Sequence, residues 1–407
     1  MNILMLSSTF PYPPSRGGTE IRTFNLLKYL HQRHHITLIT QRHAGVTDEE
    51  VKELRNWVSD LVIFPVPPEP KRGGMVGLLG KVKRFTESLV RVTPPNVLHH
   101  YLPEIQTWVD EYVKTGKCDV ITCEHSVNEI YIRPKFRNSV KTVVDIHSSV
   151  YGWIRDHLEM GASPNALRDR LYLHLILERY EKRYSSKFSS LVVTTEDDKK
   201  QFLKFVPQAD IPVIPNGVDL EIFPYRTSDC GGHKLIFVGA MDASHNIDAA
   251  RFFAIEVLPE LQKNYPDATF SIVGARPTPE VLALGERTGV IVTGKVSSMA
   301  EYLHASTICV VPLRAGYGIK NKTLEGMAAG VPIVASDRGL EGLAVDTPDV
   351  SLRALRANQV QEYVSTISRL FEDAQLREEL SRNGRSLVET EYTWERAGQL
   401  YEQVLLK

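Results

Sequence analysis

The chain has 407 residues, too many for one ordinary core and enough for two domains of common size. Forty-eight Lys and Arg against 49 Asp and Glu leave a formal charge of −1, which excludes the broad basic field of a nucleic-acid binder and makes any anion site a local one. The four cysteines, Cys118, Cys123, Cys230 and Cys309, show no C-x-x-C spacing, which speaks against structural zinc and for a reducing compartment.

The chain opens Met1-Asn-Ile-Leu-Met-Leu-Ser7, without the basic region and cleavage pattern of a secretory leader. No apolar run is long enough to span a bilayer. The expected location is the cytoplasm, with peripheral attachment at the inner face of a membrane left open. In the first half, apolar runs bounded by small or polar residues predict strands at 2–8, 36–40, 61–66, 120–123, 142–146 and 191–195. Helical patterns separate them, as in parallel α/β units.

The first of these strands runs into a proline-rich loop that ends Arg16-Gly17-Gly18-Thr-Glu20, and Ile21, Phe24, Leu27 and Leu30 then mark a helix. Glycines at a helix start suit an anion, although they could equally do no more than shape the loop. The G-x-G-x-x-G fingerprint of dinucleotide binding is absent there. Residues 71–92 mix Lys, Arg and large apolar side chains, which fits a helix on an anionic membrane or one packed on the first domain; its glycines weaken it as a free-standing helix. His125 and His147 each follow a predicted strand, where open α/β sheets place ligands, and His147 is the preferred candidate for a proton shuttle or sugar contact. The acidic run 196–198 reads as the first turn of a helix rather than a metal site, and no Asp-x-Asp occurs anywhere in the chain.

Residues 207–232 are rich in Pro, Gly and Asp, a linker composition. The predicted divisions are therefore 1–212, a linker at 213–232, a second domain at 233–388, and a C-terminal helix at 389–407 that returns to the first domain. In the second half, strands are predicted at 234–238, 269–273, 290–292, 308–313 and 332–335. Arg276, Lys295 and Arg314 each follow one of these strands as cations at a carboxyl end. Between the last two strands lies Gly316-Tyr-Gly318-Ile-Lys320-Asn-Lys322-Thr323-Leu324-Glu325, a glycine loop, two lysines and a carboxylate at a helix start. A diphosphate satisfies the lysines and the helix N–H groups, and sugar hydroxyls satisfy Glu325.

These second-half motifs, with Gly17-Gly18, Asp145-Ile-His147, Pro215-Asn-Gly-Val-Asp219 and Tyr392-Thr-Trp394, resemble the family-four (group 1) retaining glycosyltransferases of GT-B fold over nearly the whole chain. The resemblance implies an α/β protein of two Rossmann-like, doubly wound parallel-sheet domains facing a cleft, with a nucleotide-sugar donor on the second and a saccharide, lipid-linked or small-molecule acceptor on the first. It implies retention at the anomeric carbon, no metal, no cofactor beyond the donor, and a place in polysaccharide or glycoconjugate biosynthesis. By position, Glu325 binds ribose, Lys295 lies near the base, and Lys320 and Lys322 with the N–H groups of Thr323 and Leu324 hold the diphosphate. Gly17-Gly18 assist, and His147 meets the donor sugar. The chain departs from the family at Tyr317, where a sugar-binding glutamate is common, and at Met241 and His245, where an arginine and a lysine are. A nucleotide-sugar epimerase of the same fold, a nicotinamide-dependent oxidoreductase and a non-catalytic binding subunit are the alternatives.

Overall fold

In a computed structural model, which describes residues 1–14, 17–67, 85–159, 163, 165–316 and 318–407, the apolar runs of the first half form one sheet. Its strands are β1 (Asn2–Ser7), β2 (His35–Arg42), β3 (Asp60–Pro65), β4 (Val120–Glu124), β5 (Lys141–Ile146) and β6 (Ser190–Val193), in the order β3-β2-β1-β4-β5-β6. Every neighbouring pair is parallel. Strands covered by helices on both faces need continuous apolar sequence, and Ile3 to Leu6 are accordingly buried. The order reverses between β1 and β4, so the loops after these two strands diverge and leave a crevice at their carboxyl ends.

The second half repeats the plan with β7 (Lys234–Val238), β8 (Thr269–Val273), β9 (Val290–Gly294), β10 (Ile308–Val311), β11 (Ile333–Ala335) and β12 (Leu355–Arg356), in the order β12-β11-β10-β7-β8-β9. The crevice here lies between β10 and β7. Eleven of these twelve strands fall where the sequence predicts them. The exception is β12, whose two residues are too few to show a period. The acidic run 196–198 opens the helix Glu196–Leu203, capped by Thr195, whose hydroxyl accepts from the Asp198 N–H at 3.0 Å.

The chain divides into two compact units, Met1–Pro215 with Ala397–Lys407, and Asn216–Arg396. The stretch read as a linker is held by hydrogen bonds. The Ile214 N–H donates to the Val193 carbonyl at 2.8 Å, the Val218 N–H donates to that of Tyr392 at 2.8 Å, and buried Arg226 donates to the Ser306 carbonyl at 3.1 Å. The C-terminal helix, Trp394–Leu406, buries Tyr401, Val404 and Leu405 in the first unit, where His34 Nε2 lies 2.7 Å from Glu402 Oε1. Residues 71–84 of the basic stretch, Arg16 and Tyr317 lie outside the described residues; 85–91 are helical, with Phe85 and Val90 exposed. Among the described residues no helix is long and apolar enough to cross a membrane.

Candidate active site

In the second unit the loop after β10 turns through Gly316 (φ 114°) and Gly318 (φ 77°), conformations that favour glycine, before the helix Asn321–Ala328 begins. Lys322, in its first turn, reaches back to β7. Its ammonium donates to Asn246 Oδ1 and lies 4.4 Å from the centre of the Phe237 ring. Gly239, directly after β7, makes room: a Cβ there would come within 2.8 Å of Lys322 Nζ and 2.8 Å of Asn246 Nδ2. Asn246 is itself fixed, donating to the Ala240 carbonyl at 2.8 Å. The amine of Lys322 thus occupies the crevice where the strand order reverses.

Burial pushes Lys322 down to about 7, against the pull of Glu325. Burial likewise pushes Glu325 up to about 7, against the pull of Lys322. An anion delivered to this recess supplies what the lysine lacks.

The other expected donor residues are placed differently. Lys320 is nearly buried, donating to the Gly318 carbonyl and, at 2.9 Å, to Glu341 Oε2, so it clamps its own loop to Glu341. The Thr323 N–H donates to the Lys320 carbonyl at 3.0 Å and that of Leu324 to the same oxygen at 3.4 Å, so these two groups serve the helix start instead of pointing at a ligand. The Thr323 hydroxyl donates to the Gly339 carbonyl at 2.7 Å, and the Leu324 side chain is in the core. Arg276, at φ 56°, forms a fork with Asp242 (2.6 and 3.3 Å), and Arg314 pairs with Asp248 while lying 5.0 Å over Phe252; both are largely exposed. Lys295 is exposed. Phe237, Gly239 and Asn246 were missed by sequence reasoning, although a glycine after a strand followed by a polar residue in the next helix is a legible hint.

In the first unit Gly17 is extended (φ −174°) and Gly18 opens the helix Gly18–Leu30; nothing lies within 4 Å of a Cβ built on Gly18, so packing does not demand its glycine. One turn on, Arg22 is 1% exposed and forks onto Asp145, with Nε to Oδ2 at 2.6 Å and a terminal nitrogen to Oδ1 at 2.8 Å. His147 Nε2 lies 3.3 Å from Asp145 Oδ2, and its ring meets that of His125 edge-on with centroids 5.1 Å apart. Glu124, at the end of β4, is the register neighbour of Asp145 and accepts from the Tyr401 hydroxyl at 3.1 Å.

Two buried carboxylates with one guanidinium cannot share its charge equally. Burial works to raise Asp145, yet Arg22 and His147 hold it well below the usual carboxylate range. Burial, then the charge of Asp145, pushes Glu124 up to about 8. Burial and the neighbouring His147 push His125 down to about 3. Glu124, Asp145 and His147 could offer ligand atoms within 4.8 Å of one another, but both Asp145 oxygens already accept from Arg22, whose fixed charge opposes a cation there. Arg22, Glu124 and Tyr401 were not among the candidates the sequence singled out; their partners are 123 and 277 residues away along the chain, so no local motif joins them.

Two six-stranded parallel sheets flanked by helices, each with polar residues at its switch point, are the architecture of GT-B glycosyltransferases. Residues 16–222 match the family model described as Glycosyltransferase Family 4, and residues 232–373 match the one described as Glycosyl transferases group 1. The chain belongs to this family of glycosyltransferases. Among curated proteins it is similar to the lipopolysaccharide 1,2-N-acetylglucosaminetransferase of Salmonella typhimurium, at 22% identity over 75% of this chain and 82% of that one. It is also similar to an uncharacterized 44.6 kDa protein in the cps region of Klebsiella pneumoniae, at 19% identity over 91% and 93%. Among solved structures, HepE of Anabaena in complex with UDP superposes with a TM-score of 0.64 at 16% identity, covering 100% of both chains. TarM of S. aureus superposes with a TM-score of 0.64 at 13% identity over 100% and 99%. At these identities the structural likeness shows the fold.

Proposed function

We propose that the chain transfers a sugar from a nucleoside-diphosphate sugar, with UDP as the nucleotide, to a saccharide or lipid-linked saccharide, with retention at the anomeric carbon and without a metal. The observation that carries this reading is the recess around Lys322. Breaking a sugar–phosphate bond builds negative charge on the departing diphosphate, and an amine held in a desolvated crevice and protonated as the diphosphate binds stabilises that charge more as it grows. Glu325, one turn along the same helix, is the acceptor for ribose hydroxyls. Lys320, through Glu341, holds the loop in shape, while Lys295, Arg276 and Arg314 serve the rim, the two arginines after exchanging Asp242 and Asp248 for phosphate. In the first unit, His147 meets the donor sugar and Gly17-Gly18 offer N–H groups.

HepE was crystallised with UDP and UDP-glucose, the Salmonella relative is named for N-acetylglucosamine transfer, and the Klebsiella relative is placed in a cps region; these support a UDP-sugar and a role in polysaccharide assembly. A lipid-linked acceptor would bring the chain to a membrane, and residues 71–92 are the proposed contact. The test is incubation of the purified protein with a panel of nucleotide sugars and a membrane extract. Release of UDP with one donor, an unchanged anomeric configuration in the NMR spectrum of the product, and persistence in chelator are expected. Full activity of Lys322→Ala would overturn the phosphate role.

A further inference from the structure

The geometry points to Tyr401, on the C-terminal helix, as a positioning residue for His147 that acts through Glu124 and Asp145. This rests on the reading of His147 as the group at the donor sugar. Ligand atoms of Glu124, Asp145 and His147 lie within 4.8 Å of one another. The Tyr401 hydroxyl, fully buried, donates to Glu124 Oε1 at 3.1 Å. Glu124 and Asp145 stand side by side at the ends of β4 and β5, and Asp145 lies against His147 at 3.3 Å.

Arg22 commits its fork to Asp145, so Glu124 is left with Tyr401 as its donor on one oxygen, while Oε2 is buried without a hydrogen-bond partner. Burial in that position favours the neutral acid. The groups facing it are Arg22 from the first helix, Asp145 and His147 from the end of β5, Tyr401 from the C-terminal helix and Thr122 on its own strand. While Glu124 keeps its proton, Asp145 carries the sole negative charge of the cluster. It then pairs with Arg22 and sets the field at His147 Nε2, 3.3 Å away. When Glu124 ionises, a second negative charge appears beside Asp145 and within 4.8 Å of the His147 ring nitrogen.

Loss of the Tyr401 hydroxyl removes a donor that favours ionised Glu124, so Tyr401→Phe raises the pH at which Glu124 loses its proton. The experiment reads His147 directly. Protein labelled with 15N in histidine side chains, with the His147 signal assigned through His147→Asn, is titrated from pH 6 to 10 as wild type, Tyr401→Phe and Glu124→Gln. The wild type is expected to show a step in the His147 nitrogen shifts near the Glu124 titration, displaced upward in Tyr401→Phe and absent in Glu124→Gln. Where transfer is detected, kcat of Tyr401→Phe falls about tenfold with the donor KM unchanged, and its alkaline limb moves with the NMR step. His147 signals that titrate identically in the wild type and Glu124→Gln overturn the proposal, as does a step unmoved in folded Tyr401→Phe. The titration needs no substrate, so absence of transfer would count against the proposed activity and leave the relay to be judged by the spectra.

Discussion

Lys320 and Lys322 look alike in the sequence, two cations two residues apart at a helix start, and the structure gives them different work. Lys320 is paired with Glu341, which neutralises it within the loop. Lys322 is held by an uncharged amide and an aromatic face, neither of which cancels its charge. What separates them is contact with Asn246 and Glu341, 76 and 21 residues away along the chain, and no local pattern reports those pairings. Burial of Lys322, down to about 7, makes ligand binding draw a proton. At pH 8 free Lys322 is mostly neutral, whereas a bound diphosphate raises it, so binding takes up protons. Calorimetry of UDP binding in buffers of different ionisation enthalpy should register net uptake of about half a proton or more at pH 8. In Lys322→Met the uptake should vanish and affinity fall roughly 10- to 100-fold, the weight of a charge-assisted hydrogen bond. Gly239→Ala tests the same geometry from the other side. A Cβ there must displace the Lys322 amine or Asn246, so UDP affinity falls at least about tenfold while Lys322 itself is unaltered.

Among the elements, the helix Val150–Glu159 shows how a polar core sets the chain after His147. Its start is tied down by two buried carboxylates: Ser149 N–H donates to Asp198 at 3.0 Å, Ser149 Oγ to Glu181 at 2.8 Å, and the Tyr151 N–H to Glu181 at 3.1 Å. The sequence marks strands well because buried parallel strands are continuous apolar runs, and eleven of them are legible for that reason. This stretch, Ser148 to Asn165, is not legible, because its cap comes from a helix 30 residues further on. Burial pushes Glu181 up to about 7 from an ordinary 4.5. The folded state therefore binds the Glu181 proton more tightly than the unfolded chain does. That contribution to stability is full below pH 4.5 and is lost as the pH rises through about 7. Urea midpoints at pH 5 and pH 7.5 should show the wild type losing stability over this interval. Glu181→Gln, which cannot ionise, should flatten the loss by up to roughly 3 kcal/mol.

On the scale of the whole molecule, the alternation of strand and helix discloses two doubly wound sheets, and glycine with lysine at a helix start points to the candidate site in the second. The site in the first is less legible, since Arg22, Glu124 and Tyr401 read as ordinary residues until the fold assembles them. Its most distant contributor is the tail. The first unit is discontinuous in sequence, Met1–Pro215 completed by Ala397–Lys407, so it lacks part of its core until the last residues are in place. Tyr401, Val404 and Leu405 are buried there, and at about 1.5–3 kcal/mol for each large apolar side chain their removal costs roughly 5–9 kcal/mol. A chain ending at Arg396 should therefore unfold in two steps, with the first unit's step at much lower urea and that of Asn216–Arg396 unmoved. Three of the four tryptophans, Trp57, Trp108 and Trp153, lie in the first unit, so tryptophan emission follows its step. Truncation also strips Glu124 of its Tyr401 donor, and the shortened chain should lose transfer activity even at temperatures where circular dichroism shows both units folded. An unchanged first transition, or full activity after truncation, would show that the tail contributes neither to this core nor to its site.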